Sequence, residues 1–241
     1  KNSDHGLKLI RIHIWHDWIF INLNGKAKKF DEYAKPLIKK FKDINLGKIK
    51  KVATLDFGEI QSNWKFLIEN FIEPYHVQFV HKTTTNQPLK DHYIFVDGKC
   101  YGSGIDVEKE DAKNDSALSV TSRYLSLFPN FIIGTYFPNQ VGVYLNIPIS
   151  PGVTSQKRII YTTDSKEMTK KEIQTTKDIW WSVHKEDHEI CERLQEGRSS
   201  PASHSGGLLS PIWEKGVQAF QKLIINSINK SFKIKRRVKN V

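Results

Sequence analysis

Between His92 and Thr163 the chain is a succession of short apolar runs broken by Pro, Asn and Gly, and this texture limits the fold more than any other feature. Tyr93–Val96, Tyr124–Phe128, Phe131–Ile133, Val141–Leu145 and Ile159–Tyr161 each have the length and residue types of a strand. Spacing this short favours an antiparallel sheet over parallel strands joined by crossover helices. One long helical pattern follows, from Lys166 to Glu196, which Gly197 is expected to stop, and a last helix is expected from about Ile212 to Asn229. Ahead of the sheet, Leu7–Ile14 and Ile19–Leu23 flank His16-Asp17 as a hairpin, and Asp31–Lys42 reads as an amphipathic helix with a basic face. The order is hairpin, helices, sheet, long helix, which predicts an α+β domain with a helix on one face of its sheet.

At 241 residues the chain can bury a full core. No apolar run approaches the roughly 18 residues of a membrane span, and no signal-peptide pattern opens the chain, so no membrane partner is expected. Two cysteines, Cys100 and Cys191, cannot build a disulfide framework, and a reducing cytoplasm fits. The chain starts at Lys1 and has Met168 as its sole methionine, so it is expected to be a piece of something longer. The net charge is +11, and most of the 37 basic residues are lysine. No helix-turn-helix, zinc-finger or RNP-type motif accompanies that charge, so nucleic acid is not the expected partner. The lysines read as solvated surface, with docking of an acidic electron carrier as the second reading.

The chemistry concentrates in Asn63–His81, a mostly apolar segment that carries Glu73, His76 and His81. Imidazoles and carboxylates are costly in dry surroundings unless something positive pairs with them, and a divalent metal does so. Glu73 and His76 are three apart and share a helical face. His76 and His81 are five apart, about 140° around a regular helix, so sharing an ion requires a bend near His81. Trp64–Phe71 reads as a helix that changes course at Pro74, which can itself start a short helix ending before Thr83-Thr84-Thr85. A third ligand is offered by Asp187, which sits among Trp180, Val183, Ile190 and Leu194 in an apolar stripe of the long helix. Two histidines and one carboxylate form the facial triad of non-haem iron(II). The alternatives are that each histidine is an ordinary core or surface residue, that Asp187 pairs with Arg193, and that His184 and His188 form a separate site.

The strings Asn63-Trp64-Lys65, Glu69-Asn70-Phe71 and Glu73-x-Tyr75-His76 with His81 resemble the catalytic-domain signature of Rieske non-haem iron oxygenase α subunits. Glu186-Asp187 with Glu192, Gln195 and Gly197, the strand Trp18–Leu23, and Leu127–Asn130 are similar to further segments of that family. The resemblance implies a helix-grip (START/Bet v1-like) fold, an antiparallel sheet packed against a long helix, with all of 1–241 forming the mononuclear iron domain. It implies His76, His81 and Asp187 as Fe(II) ligands. Glu73 would be the carboxylate linking the iron to a neighbouring subunit's Rieske cluster, and Asn70 a residue near the metal. It also implies a homotrimer, a [2Fe–2S] cluster, and electrons from an NAD(P)H-linked reductase or ferredoxin.

The cluster's Cys-x-His and Cys-x-x-His pairs do not occur here, so the N-terminal Rieske domain is expected to be absent and this piece alone inactive. The implied reaction is O₂-dependent hydroxylation, oxidative demethylation or cleavage of a small organic substrate, with a lean to monooxygenation. Glutamate at position 73 is similar to the branch acting on quaternary ammonium compounds such as choline, betaine and carnitine, while an aromatic substrate remains open. Tyr93, Phe95, Tyr124, Phe128, Tyr136 and Tyr144 are candidate pocket walls. A metal-free START-like protein binding a hydrophobic ligand is the alternative.

Overall fold

The computed structural model describes residues 5–82, 84–85, 87–106, 122–136 and 139–238, without the side chains of 233–238. Thr83, part of the expected exit after His81, lies outside them.

A hairpin opens the chain, β1 (Arg11–Trp15) and β2 (Trp18–Asn22), turning at His16, whose φ of 55° is left-handed. The expected helix over 31–42 is two short ones, α1 (Phe30–Tyr33) and α2 (Lys35–Lys40), because Pro36 restarts the chain with its ring in a first turn. Seven antiparallel strands then form one sheet in the order β3-β9-β8-β7-β6-β5-β4: β3 (Lys50–Ile60), β4 (Tyr93–Asp97), β5 (Cys100–Ile105), β6 (Ser122–Leu127), β7 (Phe131–Tyr136), β8 (Gln140–Ser150) and β9 (Val153–Thr162). Between β3 and β4 lie α3 (Trp64–Ile72) and the single turn α4 (Val77–Val80). After β9 come the long helix α5 (Lys170–Ser199) and α6 (Lys215–Val238).

Two strands had no counterpart in the sequence reading, β3 and β5. The first carries Lys50, Lys51, Asp56 and Glu59 and is bulged near Ala53 and Gly58, which breaks its alternation. The second, Cys-Tyr-Gly-Ser-Gly-Ile, has too few large side chains to read as a strand. Helix α5 starts at a Thr169/Glu172 capping box and runs through Gly197, ending only where Pro201 pushes Ser200 into extended backbone.

Both faces of the sheet are covered, not one. Leu125, Ile133, Val143 and Tyr161 pack under the hairpin's Trp15 and Trp18 and under Leu37 and Phe41. Their strand neighbours alternate to the other face, where Ile132 and Tyr144 meet Ile68 and Ile72 of α3 and Phe220 of α6. Further along the same face, Leu55, Tyr136 and Ile160 meet Trp180 and Val183 of α5. The helical layer therefore closes over one sheet face and leaves a cavity of about 80 Å³ between α3, α5 and the strands.

Candidate metal centre

The segment that carries both histidines is shaped by its own polar groups. Asn63 caps α3 by accepting a hydrogen bond from Lys65 N, at 3.0 Å. Glu73 ends the helix in extended backbone, as the residue before a proline must. Its carboxylate then accepts from the backbone N–H of Tyr75 and of His76, the latter at 3.1 Å, and so fixes the next turn. His76 and His81 stand at the two ends of α4, and His81 leaves helical geometry at φ −86°, ψ 47°. That departure supplies the bend the spacing required, and the two rings lie 5.2 Å apart.

Asp187 reaches this pair from the middle of α5. One of its oxygens, Oδ1, is 3.1 Å from His81 Nε2 and 3.6 Å from His76 Nε2. The donor atoms of His76, His81 and Asp187 all lie within 4.8 Å of one another. Donors held about 2.1 Å from one ion, at right to tetrahedral angles, are separated by roughly 3.0–3.4 Å, so the spacings of Asp187 Oδ1 from the two Nε2 atoms are close to those around a single small divalent cation. Asn70 of α3 donates to the same Asp187 oxygen at 2.8 Å.

Each histidine is backed by a carboxylate on its other nitrogen: His76 Nδ1 by Glu73 at 2.7 Å, and His81 Nδ1 by Glu186 at 2.7 Å. In a neutral ring that arrangement puts the proton on Nδ1 and leaves Nε2, which faces Asp187, with its lone pair free for a metal. Thr84 donates to the same Glu186 oxygen at 2.6 Å. Burial alone would lower the His81 pKa, but Asp187 and Glu186 outweigh it and raise it to about 9. Burial would likewise raise the Asp187 carboxyl; its hydrogen bond and charge interactions with His81, reinforced by His76, push it well below the carboxylate range instead.

Of the rival residues, Arg193 stays away from the site, while His184 borders it, with Nδ1 3.8 Å from Asp187 Oδ2. Asp187 is ion-paired with His76 and His81, and Arg193 is exposed. His184 and His188 do not converge on one point: His184 Nε2 lies 3.2 Å from the Arg158 guanidinium, and His188 Nε2 is 2.7 Å from Gln156. Desolvation, with Arg158 beside it, holds the His184 pKa well below its ordinary value. The stripe on α5 also drifts from the expected one. Cys191 is buried, while Leu194 is 44% exposed, because a straight helix on a sheet follows a 3.6-residue period and not a heptad.

Of the six expected wall aromatics, Tyr124, Tyr136 and Tyr144 line the cavity. Phe95 instead joins the core under the hairpin, Phe128 packs with the α6 cluster, and Lys40 lies over the Tyr93 ring at 4.5 Å. His92, missed in the sequence, also lines the cavity, and neither ring nitrogen has a partner among the described residues. Burial lowers its pKa to about 4, so it is neutral at physiological pH. Glu186 was missed as well, since a carboxylate next to a ligand looks like any solvated helix charge. Its signals were its adjacency to Asp187 and its place in the Glu186-Asp187 string of the family resemblance.

Residues 46–229 match the model of the ring hydroxylating alpha subunit (catalytic domain) family. Among curated relatives, chloroplastic choline monooxygenase of Atriplex hortensis is 26% identical over 227 residues, covering 89% of this chain and 50% of the relative. The Amaranthus tricolor enzyme is 25% identical over 234 residues, covering 93% and 52%. The chain thus spans about half the length of the curated relatives it matches. Among solved structures, the quaternary ammonium Rieske monooxygenase CntA with its substrate L-carnitine superposes with a TM-score of 0.71 at 19% identity, covering 89% of this chain and 60% of that one. Naphthalene 1,2-dioxygenase from a Rhodococcus species superposes with a TM-score of 0.62 at 14% identity, covering 88% and 64%. These likenesses show the same α+β fold, and the match over 46–229 places the chain in the ring-hydroxylating oxygenase α-subunit family, within its catalytic domain.

Proposed function

We propose that this chain is the iron-bearing part of a Rieske-type terminal oxygenase that uses O₂ to hydroxylate or oxidatively demethylate a small organic substrate. The observation that carries the reading is the convergence of His76, His81 and Asp187, with both imidazoles backed by carboxylates. These three residues would hold Fe(II), which would supply the oxygen-activating redox chemistry.

The protein's own residues do the rest. Glu73 and Glu186 orient the rings and raise their basicity as ligands. Asn70 holds the Asp187 oxygen against rotation. Tyr124, Tyr136, Tyr144 and Trp180 wall the cavity and exclude water from it. His92, neutral and without hydrogen-bond partners among the described residues, offers the substrate a hydrogen bond within the cavity.

Electrons would come from an NAD(P)H-linked reductase or ferredoxin through a [2Fe–2S] cluster, which this chain has no Cys/His pairs to hold. We place Glu73, bonded to a ligand ring, on the path from a neighbouring subunit's cluster in a homotrimer. A solved CntA structure is described as revealing inter-subunit electron transfer, which supports that arrangement. Monooxygenation is favoured by the choline and quaternary ammonium monooxygenases among the similar proteins. Cys100 and Cys191 are both free and buried, which suits a reducing compartment such as the cytoplasm. Among the described residues no helix is long and apolar enough to cross a membrane.

Metal content after anaerobic iron loading tests the reading. The unaltered chain is expected to hold about one iron, and His76→Ala and Asp187→Ala are expected to lose it. An unaltered chain that takes up no iron, or variants that keep it, would favour the metal-free pocket protein.

A further inference from the structure

The least explained group beside the cavity is Arg158. On β9 the buried positions alternate strictly, Thr154, Gln156, Arg158 and Ile160, so the arginine points into the helical layer in a position an aliphatic residue would fill. It is 0% exposed. Its guanidinium carbon lies 3.4 Å from the Trp180 ring centre, 4.6 Å from Tyr136 and 5.0 Å from Tyr144. Nη1 donates to the Tyr144 hydroxyl and faces His184 Nε2. Nε and Nη2 have no acceptor, and among the described residues no carboxylate pairs with this cation. The acids of the metal centre, Glu73, Glu186 and Asp187, are engaged by His76 and His81.

A buried charge with free donors and no counter-ion is a costly structural element, because three ring faces and one hydroxyl offset only part of its desolvation. The fold nonetheless makes room for it: a side chain at Gly142 would place its Cβ 2.7 Å from Nη2. The three rings around the guanidinium, together with His184, also line the cavity, so the charge sits directly behind the cavity wall. Three aromatic faces around one point make a cage suited to a quaternary ammonium, and here the protein's own cation occupies it. Glu73 and Asp187 also line the cavity, but each is ion-paired with a histidine, whereas the guanidinium behind the wall has no counter-ion among the described residues and so repels a second cation and attracts an anion.

We propose that this cavity takes a carboxylate-bearing ligand, with Arg158 as the residue that selects it, and rejects a cation lacking a carboxylate, such as choline. The inference rests on reading the cavity as the substrate site. It departs from the choline monooxygenases that the chain resembles, since it assigns a different charge to the substrate.

The test compares acetate with tetramethylammonium, two small probes of opposite charge, by NMR titration of the 241-residue chain at constant ionic strength. Metal is removed with chelator so that acetate has no ion to coordinate. Acetate is expected to bind at least about ten-fold more tightly than tetramethylammonium, and Arg158→Gln to abolish the difference. A preference below that, or one retained in Arg158→Gln because surface lysines hold the acetate, would overturn the proposal. Arg158→Met serves if the glutamine variant does not fold, and the preference in the unaltered chain decides the matter if neither does. Iron uptake is measured on the same preparations. Iron without acetate selectivity sinks this inference alone, and selectivity without iron sinks the oxygenase reading alone.

Discussion

Glu186→Gln isolates what a backing carboxylate contributes to the metal centre. The glutamate accepts from His81 Nδ1 at 2.7 Å and from the Thr84 hydroxyl at 2.6 Å, so its position is held from two sides. Glutamine keeps the shape and an oxygen that can accept, and it removes the charge. A charge-assisted hydrogen bond is roughly twice as strong as a neutral one, and losing such a partner typically costs 10–100-fold in metal affinity, about 1.4–2.8 kcal/mol. A second effect runs the other way. In the metal-free chain Asp187 and Glu186 hold His81 protonated up to a pKa of about 9, and an incoming metal must displace that proton. Removing Glu186 weakens the proton's hold as well as the metal's. The deficit in affinity is therefore expected to be smaller at pH 7 than near pH 8.5.

Anaerobic titration with cobalt(II), followed by its visible absorption, measures both values. Glu189→Gln, exposed on the same helix, is the control and should match the unaltered chain. If Glu186→Gln binds cobalt as tightly as the control at both pH values, the backing pair has no part in metal binding. If the deficit is equal at the two pH values, the proton competition is wrong.

Other consequences are open to simple measurement. Asn70→Ala removes the donor at 2.8 Å from Asp187 Oδ1 and is expected to weaken metal binding by about ten-fold without changing the fold, read by the same titration and by circular dichroism. The metal-free chain should have its highest melting temperature near pH 6.5–7. His81, raised to about 9, stabilises fully below its unfolded value and loses that contribution as pH rises through 9. His92, lowered to about 4, is neutral in the fold and costs stability as pH falls from 6.5 to 4, so His92→Phe should flatten that acid limb of the melting curve. Arg158→Met should melt at or above the temperature of the unaltered chain, since it replaces a buried unpaired charge by an apolar side chain of similar length; a drop of about 3 kcal/mol or more would mean the cation is structural.

The parts of the fold legible in the sequence are those where one physical period dominates. Strands β6 and β7 and the Val141–Tyr144 part of β8 are largely buried on both faces, so their apolar runs stand out, and α5 carries an uninterrupted helical pattern. Strand β3 lies at the sheet's edge in the order, with one bulge set by Gly58 at φ 71°, whose N–H donates to the Asp56 carboxylate, and each bulge shifts the alternation by one residue. Periodicity therefore fails there for a structural reason. At the site, spacing gave the histidines' separation and the oddity of a carboxylate in an apolar stripe, while the family resemblance supplied the assignment of all three as ligands.

Arg158 lay beyond either kind of signal. In Ser155-Gln156-Lys157-Arg158-Ile159-Ile160 it stands beside Lys157, and two adjacent basic residues on a strand read as solvated charge. Adjacent strand residues point to opposite faces, however, and only one of the pair can be outside. Lys157 is the one, paired at the surface with Asp56. Arg158 is then driven inward by register alone, toward Gly142 on one side and Trp180 on the other. Its burial is a consequence of β9 being fixed on both flanks by β3 and β8, so no single substitution can slide it out to solvent without turning Gln156 and Ile160 out with it. A charge held inside by register, with ring faces and a hydroxyl but no counter-ion around it, acts on whatever enters the cavity beside it.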